Sequence, residues 1–182
     1  MSRTIEPLPL DETFSREYEI EWIRDMPSSR ATSVFGHGGG PILRVTPHDG
    51  KPFIAVVPGQ TGSMTLSTWP NPRQFAVFNW QDVPIIVDID EPERFIKIDD
   101  FDGHGLRGRY LFQRPGVVVM ASCCHLVAYN AKGKIWDRHG LFCCDERSIS
   151  RTEDVLIVDP HSDAHGAVGR KVVDVSTGEL IS

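Results

Sequence analysis

Seven histidines, four cysteines and many acidic residues give this chain the side chains that bind metals and move protons. The densest set is His161-Ser162-Asp163-Ala164-His165. In a strand, alternate residues share a face, so this spacing would aim two imidazoles and a carboxylate at one side. That donor set suits a first-row divalent metal. With His125 as a further ligand, the ion would activate a bound water, and the chain would be a metal-dependent hydrolase. Pro160 before the run and Gly166 after it favour a solvated turn between two strands instead.

The cysteines pose a second question. Cys123-Cys124 and Cys143-Cys144 are vicinal pairs, whereas structural zinc is usually held by knuckles that space two cysteines apart. Neighbours in a strand point to opposite faces, so one thiol of each pair, taken as Cys123 and Cys143, can face a common site. His125, two residues beyond Cys123, would share its face. The simpler expectation is that one cysteine of each pair is a small core residue. The metal-ligand candidates are therefore His125, His161, Asp163, His165, Cys123 and Cys143. The sequence assigns no catalytic residue and no cofactor.

Two further motifs lack the partners that would make them functional. His37-Gly38-Gly39-Gly40 spells the oxyanion-hole motif of lipases. The G-x-S-x-G elbow it requires is missing; Asp174-Val175-Ser176-Thr177-Gly178 comes nearest, with Asp at its first position. Asp99-Asp100-Phe101-Asp102-Gly103 begins like a calcium loop but lacks the closing bidentate Glu. A loop and an acidic turn are the expectations here.

The elements that must position these residues are short. Apolar, β-branched or aromatic runs span 41–46, 52–57, 64–69, 74–80, 84–89, 95–98, 110–113, 117–122, 125–129, 155–158 and 171–175. Gly, Pro, Asn or Asp bounds each run, and they recur about every 8–12 residues, the pattern of an all-β chain. Between Asp11 and Met26, Tyr18, Ile20 and Trp22 alternate, which predicts a strand near Glu17 to Arg24.

A strand–turn–strand unit repeats four times, from Ile42, Ile86, Leu126 and Val172. Its turn residues Gly50, Pro92, Gly133 and Gly178 are separated by 42, 41 and 45 positions. A period of ~40–45 residues is that of propeller blades, each a four-stranded antiparallel meander. The segment Leu126-Val127-Ala128-Tyr129-Asn130-Ala131-Lys132-Gly133-Lys134-Ile135-Trp136 resembles the outer hairpin of a quinoprotein-type propeller repeat, and Val172 to Ile181 is a second match. The whole chain is similar to uncharacterised bacterial all-β proteins that carry such hairpins and end in a segment like Val173 to Gly178. The resemblance implies β-meander architecture and brings no activity or cofactor with it. The predicted fold is an all-β antiparallel meander of about 12 or more short strands with little helix. Its strands would form propeller-like blades or an open two-layer β-sandwich. At 182 residues it is expected to be a single domain, residues 1–30 forming an N-terminal strand or arm and 41–182 the hairpin repeats.

Composition narrows the partners. A net charge of −6 opposes binding to a phosphate backbone. No apolar run approaches the ~18 residues of a membrane span. Met1 to Arg30 carries Glu6, Asp11, Glu12, Glu17, Glu19 and Glu21 in place of a signal peptide's apolar core. A cytoplasmic location, with the cysteines as thiols, is the expectation. An acidic surface steers association with a basic protein. The leading expectation is accordingly a non-catalytic protein-binding domain, an immunity protein or inhibitor of a bacterial toxin being one such class. Trp69, Trp80 and Trp136 are its candidate anchors if exposed, and core residues if packed. Unpaired strand edges would also permit self-association.

Overall fold

The structure, a computed structural model, describes residues 10–23, 33–34, 42–57, 64–79, 84–99, 106–122, 124–141, 149–159 and 170–181. Those residues form sixteen strands and no helix. They fall in two compact units, residues 1–97 and 98–182.

The first unit contains β1 (Leu10–Asp11), β2 (Tyr18–Ile23), β3 (Ser33–Val34), β4 (Ile42–Pro47), β5 (Phe53–Val56), β6 (Met64–Thr68), β7 (Gln74–Asn79), β8 (Ile85–Asp88) and β9 (Ile96–Lys97). One sheet has the order β2-β4-β5-β3; the other is the meander β6-β7-β8-β9 with β1 added in parallel beside β6. Period-two patterning decides which side chains enter the core. Leu43 and Val45 of β4 are fully buried while Arg44 between them is exposed, and it pairs with Glu21 opposite on β2. Tyr18, Leu43, Val45, Phe53 and Ala55 of one sheet meet Met64, Leu66, Phe75, Val77, Ile85 and Val87 of the other in one apolar core. Tyr18 crosses between the layers, its hydroxyl donating to the Gln74 carbonyl at 2.9 Å and its ring tilted against Phe75.

The second unit contains β10 (Gly108–Phe112), β11 (Val117–Ala121), β12 (His125–Asn130), β13 (Gly133–His139), β14 (Ile149–Arg151), β15 (Val155–Val158) and β16 (Lys171–Asp174). β10 to β13 form a four-stranded antiparallel meander, the pattern of a propeller blade. β14 to β16 form a three-stranded one, extended by an antiparallel bridge between Val173 and Leu180. Val119, Ala121, Leu126, Ala128 and Trp136 pack on Leu156, Val158, Val173 and Val175. Trp136 joins the two sheets by donating its indole N–H to the Val175 carbonyl at 2.8 Å. Every residue of β11 is buried, so that strand is covered on both faces and reads as a continuous apolar run without alternation.

The four repeated hairpins lie in four different sheets. They are β4–β5, β8–β9, β12–β13 and β16 with the Leu180 bridge. The period of the sequence therefore counts sheets. In three of them the hairpin supplies the last two strands; in the first, β4 and β5 are central because β2 and β3 flank them. Three of the turns share one device, an Asx side chain at the end of the strand accepting the backbone N–H two residues on. Asp88 accepts from Asp90 at 2.9 Å, Asn130 from Lys132 at 2.8 Å and Asp174 from Ser176 at 2.8 Å. The Asp174 carboxylate also accepts from the Ser176 hydroxyl and the Thr177 N–H, and these bonds hold it below the usual carboxylate range.

The predicted strand near Glu17 to Arg24 is β2, and the runs at 155–158 and 171–175 are β15 and β16. β1 lies within the expected N-terminal strand or arm, while β3 and β14 match none of the apolar runs, being only two and three residues long. Trp69 and Trp136 are 1% and 9% exposed, so both are core residues and neither is a surface anchor; Trp80 lies outside the described residues. Among the described residues no helix is long and apolar enough to cross a membrane.

Candidate functional site

The β12–β13 hairpin gathers three metal-ligating side chains. Gly133 closes its turn at φ 124°, a left-handed value that favours glycine. From the turn, Asn130 pairs with Gly133 and Tyr129 with Lys134. A β-bulge then takes up Ile135, so that Ala128 stands opposite Trp136, Val127 opposite Asp137, and His125 opposite His139. Leu126, Ala128 and Trp136 face the core. His125, Asp137 and His139 therefore share the other face.

On that face the imidazoles of His125 and His139 stack, their centroids 3.7 Å apart and their planes 13° from parallel. One ligand atom each from His125, Asp137 and His139 lies within 4.8 Å of the others. His125 is 7% exposed, whereas Asp137 and His139 are open to solvent. Backbone bonds from Ser122 N–H to the His125 carbonyl and from Gly140 N–H to the Cys124 carbonyl, each 2.9 Å, fix the end of the hairpin that carries the two histidines. The Lys134 ammonium sits 3.4 Å from Asp137 at the exposed edge.

Of the residues singled out from the sequence, only His125 falls in this group. Cys123, Cys143, His161, Asp163 and His165 lie outside the described residues. Asp137 and His139 were missed. His139, next to Gly140, reads as a turn residue, yet it is the last residue of β13. The available signal was Asp-x-His in one arm of a hairpin whose other arm begins at a histidine.

A second polar cluster occupies the turns of the first unit. Arg73 reaches Asp90 through Nε at 2.6 Å, Glu17 at 2.9 Å and Asp49 at 3.1 Å. It thereby ties the segment before β2, the β4–β5 turn and the β8–β9 turn to the β6–β7 turn. Asp90 is held below the usual carboxylate range, chiefly by its hydrogen bonds to Arg73. Arg73 is itself pushed above its ordinary value by Asp90 first, then by Asp49 and Glu17. Beside this staple a groove runs along the edge of the sheet, lined by Ile86, Asp88, Asp90, Glu91, Arg94 and Ile96. Ile86 and Ile96 are cross-strand partners, and Ile96 is 53% exposed on the edge strand β9.

No family model matches the chain, and no curated protein does. Apo AztD from Citrobacter koseri is similar in structure with a TM-score of 0.47 and 17% identity, over 79% of this chain and 41% of that one. The N-terminal domain of Nup159 gives a TM-score of 0.48 at 12% identity, over 97% of this chain and 53% of that one. The Pan2 WD40 domain of Neurospora crassa gives 0.42 at 12%, over 79% and 48%. The chain thus spans about half the length of the solved structures it matches, and no activity transfers from any of them.

Proposed function

We propose that the chain is a protein-binding domain whose partner is a basic protein docking on the turns and sheet edge of the first unit. The observation that carries this is the groove beside β9. There an exposed apolar residue, Ile96, is flanked by Asp88, Asp90 and Glu91, with Glu93 exposed in the same turn. Arg94 pairs with Glu91, and Arg73 is already engaged by three carboxylates, so the negative charge around the groove is only partly neutralised. An apolar contact whose surround is predominantly acidic, with Arg94 and Lys97 as its cations, suits a partner that brings lysines or arginines around an apolar residue. The net charge of −6 extends the same attraction to longer range. A basic toxin, such as a nuclease, is the partner class that fits this chemistry, with the chain as its inhibitor.

The test is co-expression with the products of neighbouring genes, followed by measurement of any complex at rising salt. The complex is expected to associate more slowly at high salt, to weaken on Glu91→Lys combined with Glu93→Lys, and to weaken on Ile96→Ser. A complex indifferent to all three changes would place the partner elsewhere and defeat the proposal.

A further inference from the structure

We infer that His125, Asp137 and His139 form a binding site for a single zinc-class divalent cation on the β12–β13 hairpin. Two imidazole nitrogens and one carboxylate oxygen are the donors of a zinc site that keeps an open position for water or a further ligand. Hard cations such as Mg²⁺ or Ca²⁺ prefer all-oxygen shells, so the two histidines select against them. The three donors come from one rigid antiparallel pair, two on β13 at alternate positions and one directly opposite on β12. Their ligand atoms already lie within 4.8 Å of one another.

Two local adjustments complete the site. A metal bound in the plane of each ring at roughly 2.0–2.1 Å requires the imidazoles to tilt out of their stacked pose. His139 is exposed and has room to make that movement, while His125 is held by its burial. Asp137 must also exchange the Lys134 ammonium for the ion. That pair is 3.4 Å long and about half exposed on both sides, the kind of ion pair that contributes little. A divalent ion within bonding distance replaces it readily.

The experiment is a titration of the untagged full chain with Zn²⁺ alone, read by competition with a chromophoric chelator and by the thermal midpoint. One zinc per chain and a higher midpoint in the presence of zinc are expected, because an ion that binds only the folded state stabilises it. His139→Ala and Asp137→Asn alter exposed side chains and should fold as the parent does. Each is expected to weaken zinc by at least ~10-fold, the lower end of what loss of even an outer-sphere partner costs. Substitution with Co²⁺ should give the visible absorption of a low-coordinate site in the parent and not in His139→Ala. Failure to bind zinc, or full retention in His139→Ala, overturns the site, the latter placing the ion on other cysteines or histidines. Full retention in Asp137→Asn overturns the three-ligand set.

Discussion

The indole of Trp136 fills the space that a side chain on Gly178 would need. A Cβ built on Gly178 would lie 2.7 Å from the Trp136 ring, and the residue sits at φ 74°. Trp136 is anchored in turn by its hydrogen bond to Val175, so the ring has little freedom to withdraw. Gly178→Ala therefore meets two costs: about 1–2 kcal/mol for a left-handed L-residue and about 1–3 kcal/mol for the overpacked ring. Gly116 has the same φ of 74° but nothing within 4 Å of its Cβ direction. Gly116→Ala should bear only the first cost. Urea unfolding of both variants separates the terms, and equal losses would show that the Trp136 contact is unimportant.

Tyr18 offers a test at alkaline pH. Its ring is fully buried, and burial raises the phenol well above its ordinary value. In the unfolded chain it ionises near pH ~10. Above that pH the unfolded state binds fewer protons than the folded state, so stability falls as pH rises. Tyr18→Phe removes this dependence. It also leaves the Gln74 carbonyl without its 2.9 Å donor, a loss of about 1–2 kcal/mol at neutral pH. Chemical denaturation at pH 7 and above pH 10 should show a gap between parent and variant that narrows as the pH rises.

Strand type, repeat period and much of the core were legible in the sequence because they depend on local patterning and on turn residues such as Asn130, Gly133 and Gly178. The division into four sheets was legible as a period. What patterning could not supply was pairing at a distance. β1 joins β6 in parallel across more than fifty residues, and nothing local in Leu10–Asp11 announces it. The first sheet departs from the repeat for the same reason, since β3 pairs with β5 in parallel. His125 was visible as a metal-ligand candidate; its companions were not, because the register that aligns them depends on an irregular residue. Nor could spacing alone show Arg73 collecting Glu17, Asp49 and Asp90 from three separate segments.

That arginine staple makes a prediction on the acid side. Asp90 is depressed in the folded state, so its contribution is present above the unfolded carboxylate value near ~4 and fades as pH falls through the lower folded value. Asp90→Asn should lower the thermal midpoint slightly at pH 7, the group being exposed and screened. The gap between parent and variant should shrink on acidification below about pH 4 and at high salt. A gap that widened with acid would assign the effect to packing of the β8–β9 turn, not to charge.

The cross-strand register beyond Ile135 decides which face His139 occupies, and deletions on either side of it can test that dependence. A regular hairpin closed at Asn130 and Gly133 would set His125 opposite Arg138 and turn His139 toward the core face. With Ile135 bulged, Trp136 instead falls opposite Ala128 and the histidines meet. Deleting Ile135 removes the extra residue but leaves every later pair in place, so zinc uptake should persist despite the loss of some core contact. Deleting Arg138 slides His139 opposite Leu126, on the face that carries the apolar core. Zinc uptake should then fail even where circular dichroism shows the β-structure intact. If both deletions bound zinc equally, the cross-strand register could not be what assembles the site.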